Sequence, residues 1–375
     1  MKTSSLFILL IASVIFSTSL VTGLFLASEK TIERNNSFIR RYPHHPVNRQ
    51  GSFDLGFNSY YLAGSTRDSI YLGNFTAPLH LLAIDKELSD TSQHRLHLKN
   101  MEEYDFRSVK IQVQEPYYYL FDGAVPVIYQ GEIGNWIAEG VMENAAYFSQ
   151  IVPVDNNHFV VRARSTANNE NELGQIKVLD STEVKLKPEL LEKQIDGIFD
   201  VDGFLIYNQQ LKEVIYLYRY RNEYIVANKN LDLQYRGKTI DTISRAQLDI
   251  AAITSKNQKK LGPMSTRVNL NATTSGHYLL VSSNRIGKYE DEEMLKQASI
   301  IDVYNIEERT YELSFYLYHF KKDEIREFFI NEGMLYSLNG NYLVKHTMKE
   351  QYFDFETNKN ISADIRSKTE NLTIE

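Results

Sequence analysis

A chain of 375 residues with 43% hydrophobic residues is long enough to bury a substantial core. Its formal net charge of −7 speaks against a nucleic-acid binder, which presents a basic face. The absence of cysteine removes disulfides, Cys-ligated metal centres, thiol nucleophiles and a lipobox cysteine. The 25 Tyr and 19 Phe stand against one Trp and 8 Pro, and that excess suits a pleated, half-buried surface.

Lys2 precedes an apolar run over residues 6–27, LFILLIASVIFSTSLVTGLFLA. It reads as a signal peptide with residues 6–16 as its apolar core and cleavage after Gly23. Uncleaved, its length of ~22 residues is enough for a membrane anchor. Either reading places the rest of the chain in the periplasm or cell envelope. Lys30, Arg34, Arg40 and Arg41 follow the run and oppose that orientation under the positive-inside rule. The expected division is a signal peptide or anchor over 1–27, a polar linker over 28–50, a β-propeller over 51–348 and a polar tail over 349–375. Membrane contact is expected only through residues 6–27. His44 and His45 sit in the linker, and adjacent histidines in an extended segment point apart, so they read as surface residues.

From residue 58 onward, short β-rich runs recur between turn signals. Residues 59–63, 69–74 and 79–85 form the first group, with 94–98 as a fourth strand. A second group holds 109–114, 117–121 and 125–129, and a third holds 148–154, 158–163, 175–179 and 183–186. The fourth runs 198–201, 203–207, 214–219 and 224–227. The fifth has 266–271, 277–282, 299–304 and 311–316, and the sixth 325–330, 333–338 and 342–347. Comparable strands begin about 40 to 75 residues apart, where a four-stranded propeller blade takes roughly 40–50. The longer intervals hold two helix candidates, 244–253 with a Ser-x-x-Gln cap pattern and 290–296. Some 22 short strands without alternating amphipathic helices exclude a parallel α/β sheet. Radial repetition accommodates them with protected edges. The fold class is therefore all-β: a propeller of six four-stranded blades, or seven if the region around Trp136 holds a divergent one. An N-terminal strand over 52–57 is expected to close the ring.

The runs YYLAG at 60–64 and IYLGN at 70–74, with the ending GMLYSL at 333–338 and NYLV at 341–344, resemble TolB-like six-bladed propellers of exported bacterial proteins. The resemblance covers about residues 51–348 and is one of architecture. It implies a fold and transfers no functional residue.

Asp196, Asp200 and Asp202 in DGIFDVDG superficially match calcium-loop spacing. The central Gly and closing Glu of an EF-hand loop are missing, so the segment reads as a hairpin turn. No metal site and no cofactor is expected from spacing, although His80, His158 and His277 lie at similar places near strand starts. No Gly-x-Ser-x-Gly, Gly-x-Gly-x-x-Gly or Walker-type loop occurs. The run KNQKK at 256–260 reads as a solvated loop. The clusters Tyr117, Tyr118, Tyr119 and Tyr218, Arg219, Arg221 are the candidate partner-binding residues, set against a packing role for the same rings. The expected function is a non-catalytic binding or scaffolding propeller for a protein, peptide or glycan. The alternative is a propeller enzyme with a central metal or cofactor, a lactonase-like hydrolase or an oxidoreductase.

Overall fold

The structure is a computed structural model and describes residues 3–32, 36–99, 105–253 and 258–355. Helix α1 spans Thr3–Ile32, and β1 follows at Val47–Asp54. The next four strands are β2 (Tyr60–Ser65), β3 (Ser69–Asn74), β4 (His80–Asp85) and β5 (Thr91–Arg95), with a short β6 at His97–Leu98. Then come β7 (Lys110–Gln114), β8 (Tyr117–Asp122), β9 (Val127–Glu132) and β10 (Ile137–Glu143). The third group is β11 (Phe148–Asp155), β12 (His158–Arg164), β13 (Asn171–Val178) and β14 (Thr182–Lys187). The fourth is β15 (Gly203–Asn208), β16 (Glu213–Tyr218), β17 (Glu223–Asn228) and β18 (Leu233–Lys238), and a hairpin of β19 (Ile250–Ile253) and β20 (Gln258–Leu261) follows. The fifth is β21 (Asn269–Ser275), β22 (Tyr278–Ser283), β23 (Ala298–Asn305) and β24 (Thr310–Tyr318). The last is β25 (Ile325–Asn331), β26 (Met334–Asn339) and β27 (Tyr342–Met348).

Beyond α1 the chain is all-β, with antiparallel sheets whose order is compatible with a propeller. The third, fourth and fifth groups are separate four-stranded sheets in sequence order. The first two groups join through a short parallel contact of β2 with β7, at Gly64–Val113 and Ser65–Gln114. Gly64 has φ +140°, and a Cβ there would meet the Val113 carbonyl oxygen at 2.2 Å, so this junction demands glycine. In the last sheet β1 supplies the outer strand, with Val47 opposite Met348 and Asp54 opposite Tyr342. Thus residues 52–54 of the expected closing segment pair with β27, and 47–50 extend the strand into the expected linker. Trp136, with φ +53°, occupies the turn before β10, the fourth strand of the second group.

Burial follows strand position. Middle strands such as β22 (YLLVSS) are buried along their whole length, because both faces pack on neighbouring sheets. Outer strands such as β14 (TEVKLK) are exposed at most positions. Each of six apolar clusters lies between two successive groups rather than inside one. Tyr71 and Val113 share the first, and Ile128 with Phe159 share the next. Val160 and Tyr216, Ile215 and Val281, and Ile301 and Leu335 continue the series. The sixth joins Leu338 and Leu343 of the last sheet to Ile70 and Leu72 of the first. Tyr352, Phe353 and Phe355, at the start of the expected polar tail, pack on the cluster between the fifth and sixth groups.

First strands of adjacent groups are neighbours, β2 beside β7 and β25, β15 beside β11 and β21, and β21 beside β25. Where they diverge, side chains bridge the gap. Gln150 donates to the Gly203 carbonyl and accepts from the Leu205 amide, each at 2.7 Å. Glu327 accepts from the Leu62 amide at 2.8 Å.

The tyrosine excess has two uses here. Tyr61, Tyr118 and Tyr224 each stand directly opposite a glycine, Gly73, Gly131 and Gly237. A Cβ on any of the three glycines would fall within 2.5 Å of the ring, so each ring lies flat over the bare backbone of its partner strand. Ring hydroxyls, that of Tyr61 among them, also bond the backbone of other segments. The Ile111 amide donates to Tyr61 at 2.7 Å, the Ile240 amide to Tyr304 at 2.9 Å, and Tyr216 donates to the Val201 carbonyl at 2.6 Å.

Residues 36–46 run along β24 from one end of the fifth sheet to the other. The Arg40 side chain is fully enclosed. It donates to both Asp302 oxygens at 2.6 and 3.0 Å, to Glu290 at 2.8 Å and to Ser283 at 3.0 Å. Burial opposes its charge, but the Asp302 and Glu290 carboxylates outweigh that cost and raise its pKa above the ordinary value. Ser314 donates its amide to the Arg41 carbonyl at 2.8 Å, and Tyr42 stacks on Tyr316 with centroids 4.6 Å apart.

Two expectations are corrected. Residues 244–253 form no helix, since their backbone groups have partners elsewhere. Ala246 donates to the Gln194 side chain at 2.9 Å and Asp249 to Ser265 at 3.0 Å, while the Gln247 carbonyl accepts from Thr266 at 2.9 Å. DGIFDVDG is not a hairpin turn but a connector folded around its own carboxylates. Asp200 accepts from the amides of Gln194, Ile195, Asp196 and Gly197, and Asp196 accepts from those of Ile198 and Phe199. The candidate at 290–296 contains a 3₁₀ turn, Glu292–Lys296, capped by Asp291.

His346 on β27 is buried beside Ser337, 3.3 Å away. Burial, and then the Arg49 charge, push its pKa down to about 4. An unfolded chain takes up this proton near pH 6.5, whereas the folded one holds off until about pH 4. The group's contribution is therefore complete above pH 6.5 and falls by roughly 3 kcal/mol as pH drops to 4. Urea unfolding between pH 7.5 and 4 should show this slope, and His346→Gln should flatten it.

Candidate functional site: a lysine-lined cleft between the third and fourth groups

Strands β13 and β14 alternate their side chains, so Gln175 and Lys177 share a face with Glu183, Lys185 and Lys187. Their register sets Gln175 opposite Lys185 and Lys177 opposite Glu183. The β17–β18 turn closes over this face and leaves a cleft of about 350 Å³, lined by these residues with Asn230 and Asp232. The turn is held from within and below. Asn228 accepts from the amides of Asn230 and Asp232 at 2.9 and 3.0 Å. Leu231, at φ +58°, is buried in the core between the third and fourth groups.

Every lining group is polar, and the three lysines exceed the two acids by one. Lys187 lies 3.5 Å from Asp232, and Lys177 lies 3.4 Å from the Asn230 side-chain oxygen. The amide of Gln175 is fixed on both sides, donating to the Asn230 carbonyl and meeting His158 at 3.1 Å. Burial, followed by the charge of Lys177, holds the His158 pKa below its ordinary value despite the Gln175 contact. A hydrogen bond from Asn228 leads the groups that keep the Asp232 carboxyl below its usual range. The cleft thus offers ammonium groups over a fixed amide floor. That chemistry binds carboxylates and hydroxyls.

The six expected partner-binding residues do not gather into one surface. Tyr118, Tyr119, Tyr218 and Arg221 are buried, which corrects their assignment, because a core side chain is out of a partner's reach. Tyr119 meets Phe159 edge-on across two groups, with centroids 5.4 Å apart. The Arg221 guanidinium lies 3.6 Å from the Tyr218 ring centroid and donates to the Glu192 carbonyl at 3.0 Å. Tyr117 is half-buried at the start of β8. Arg219, also partly exposed, pairs with Asp202 at 2.7 Å, and Asp202 also binds Arg162. Among the described residues no group of three or more His, Asp or Glu is placed to hold a metal ion. His80 meets the Tyr60 hydroxyl at 3.2 Å, and the His277 ring lies against Tyr278. Of the run at 256–260, residues 256 and 257 lie outside the described residues. The sequence does not single out the cleft lysines, although Lys185 and Lys187 alternate along β14 and Lys177 lies within β13.

No family model matches the chain, and no curated protein matches it. Among solved structures it is similar to a member of the DUF4221 family from Bacteroides vulgatus. That match has a TM-score of 0.48 and 11% identity, covering 84% of this chain and 99% of that one. A structural-genomics protein of unknown function from Bacteroides thetaiotaomicron gives 0.47 and 10%, covering 80% of this chain and 76% of that one. A chain of a nidogen/laminin complex gives 0.41 and 8%, with coverage of 69% and 81%.

Proposed function

We propose that the six four-stranded groups are blades of a single ring, of the TolB-like kind that the sequence resembles. In this reading α1 tethers the ring to the outer face of a membrane, and the ring is a binding protein. Its ligand is a carboxylate-bearing peptide or glycan, held in the cleft between the third and fourth blades. The observation that carries this reading is the convergence of Lys177, Lys185 and Lys187 on one polar cleft. The tether is supported by the apolar stretch Phe7–Ala27, long enough to cross a bilayer or to act as a signal sequence. Calorimetric titration of the purified protein with oligoglutamate and with an oligouronate tests the binding. One of the two should bind saturably and weaken with added salt. Lys185→Glu and Lys187→Glu should each weaken it by about tenfold. Failure of the wild-type protein to bind either probe at low salt would sink the reading.

A further inference from the structure

Every group of strands has one end where its first strand begins and its second strand finishes. The connectors between groups leave from that end, and there the N-terminal segment docks on the fifth group. Asn36 donates to the Ile286 carbonyl at 2.7 Å, and the Lys288 amide donates to the Phe38 carbonyl at 2.8 Å. The apolar span of α1 ends at Ala27 and the helix at Ile32. Five helical residues rise about 7.5 Å, and the four steps from Ile32 to Asn36 reach at most about 14 Å. The docking point therefore stays within about 22 Å of the hydrocarbon edge, against a radius of gyration of about 19 Å for a ring of roughly 300 residues. That reach brings only the near end of the ring to the bilayer.

The same end carries most of the large, well-exposed apolar side chains. Phe57, Phe75, Tyr147, Met264, Tyr289 and Tyr318 come from connectors and strand ends around the ring, and their exposure runs from 50% at Phe75 to 81% at Met264. The far end shows Leu179 at 72% and the less exposed Leu233, Ile137 and Val184 at 45%, 38% and 36%. Scattered surface apolar residues are ordinary, but their concentration at the tethered end is not. Lys260 and Lys288 are exposed there too. The acids Asp291, Glu292 and Glu293 balance them, with Glu293 paired to Lys296 at 2.6 Å. Tyrosine at such a surface favours the headgroup layer.

We propose that this end of the ring rests on the bilayer surface, with its exposed aromatic side chains at headgroup level and the lysine cleft left free. The inference rests on the tether in the reading above. Because the chain has no cysteine, single labels can be placed at will. The full chain is reconstituted in phosphatidylcholine nanodiscs and labelled in turn at Ala145→Cys, Lys288→Cys, Gln209→Cys and Ser17→Cys. Headgroup-attached quenchers should dim the labels at 145 and 288 several-fold more than the label at 209, on the far end. Replacing Tyr147 and Tyr289 by Ser should reduce that difference while acyl-chain quenching at 17 persists. Quenching at 17 without any difference between 145, 288 and 209 overturns the proposal and leaves the tether standing. An unquenched label at 17 overturns the tether and the proposal together.

Discussion

Arg40→Met should destabilise the folded chain by about 3–5 kcal/mol, the cost of removing one partner from a buried ion pair. The methionine fills much of the space but leaves the Asp302 carboxylate facing the fifth sheet with Ser314 as its remaining hydroxyl donor. Glu290 keeps the Gly287 amide at 2.8 Å and so loses less. If the deficit comes from the stranded charge, Arg40→Met with Asp302→Leu should recover most of it, since a pair removed whole is close to neutral. Urea unfolding of the full chain in detergent measures all three variants. Limited proteolysis gives a second readout, because the single Arg40→Met variant should be cut within residues 36–46 while the sheets remain intact. A double variant as unstable as the single one would show that the guanidinium contributes packing rather than charge.

Asp200→Ala is expected to cost a similar 3–5 kcal/mol, and here the loss is in unpaired donors. Asp200 has no exposed surface and accepts from four successive amides at 2.5 to 3.1 Å. Burial alone would raise its pKa, but those amides hold the carboxyl below its usual range. Alanine leaves the four donors with no acceptor in a place water reaches poorly. Asparagine keeps one oxygen, so Asp200→Asn should cost about half as much. Hydrogen exchange makes the assignment local. The amides of residues 194–197 should lose protection in both variants, and those of β22 in the fifth sheet should not. Because the carboxyl is depressed, its contribution is present above the ordinary carboxylate range and is lost as pH falls through the folded value.

These two residues also show where the sequence was legible. Strands with clear alternation or an unbroken apolar run could be read directly, as in β7 (KIQVQ) and β16 (EVIYLY). β10 (IAEGVME) shows no clear alternation because Gly140, Glu139 and Glu143 dilute its apolar pattern. Residues 244–253 have helical spacing, yet their backbone groups are claimed by Gln194, Ser265 and Thr266, and no local rule anticipates partners so far away in sequence. Asp200 and Arg40 looked like a turn residue and a linker charge for the same reason. In the cleft, Glu183, Lys185 and Lys187 announce a polar face in their own alternation. The turn that converts that face into a site lies more than forty residues further on, anchored by Leu231. Tyrosine was read for both roles, and opposite-strand glycines at 73, 131 and 237 decide several of its cases for packing.

The pairing of β1 with β27 sets an order of events during synthesis. Asp54 leaves the ribosome about 290 residues ahead of its partner, Tyr342. At 5–20 residues per second the wait is on the order of 15–60 s. Throughout it β1 lacks β27, its lateral neighbour, and the apolar surface of Ile70 and Leu72 lacks the Leu338 and Leu343 side chains it packs against. Contacts this distant in the chain are slow to form, so β1 stays open to mispairing until β27 is made. A chaperone acting on this chain would have most to do at β1 and at the sheet it completes.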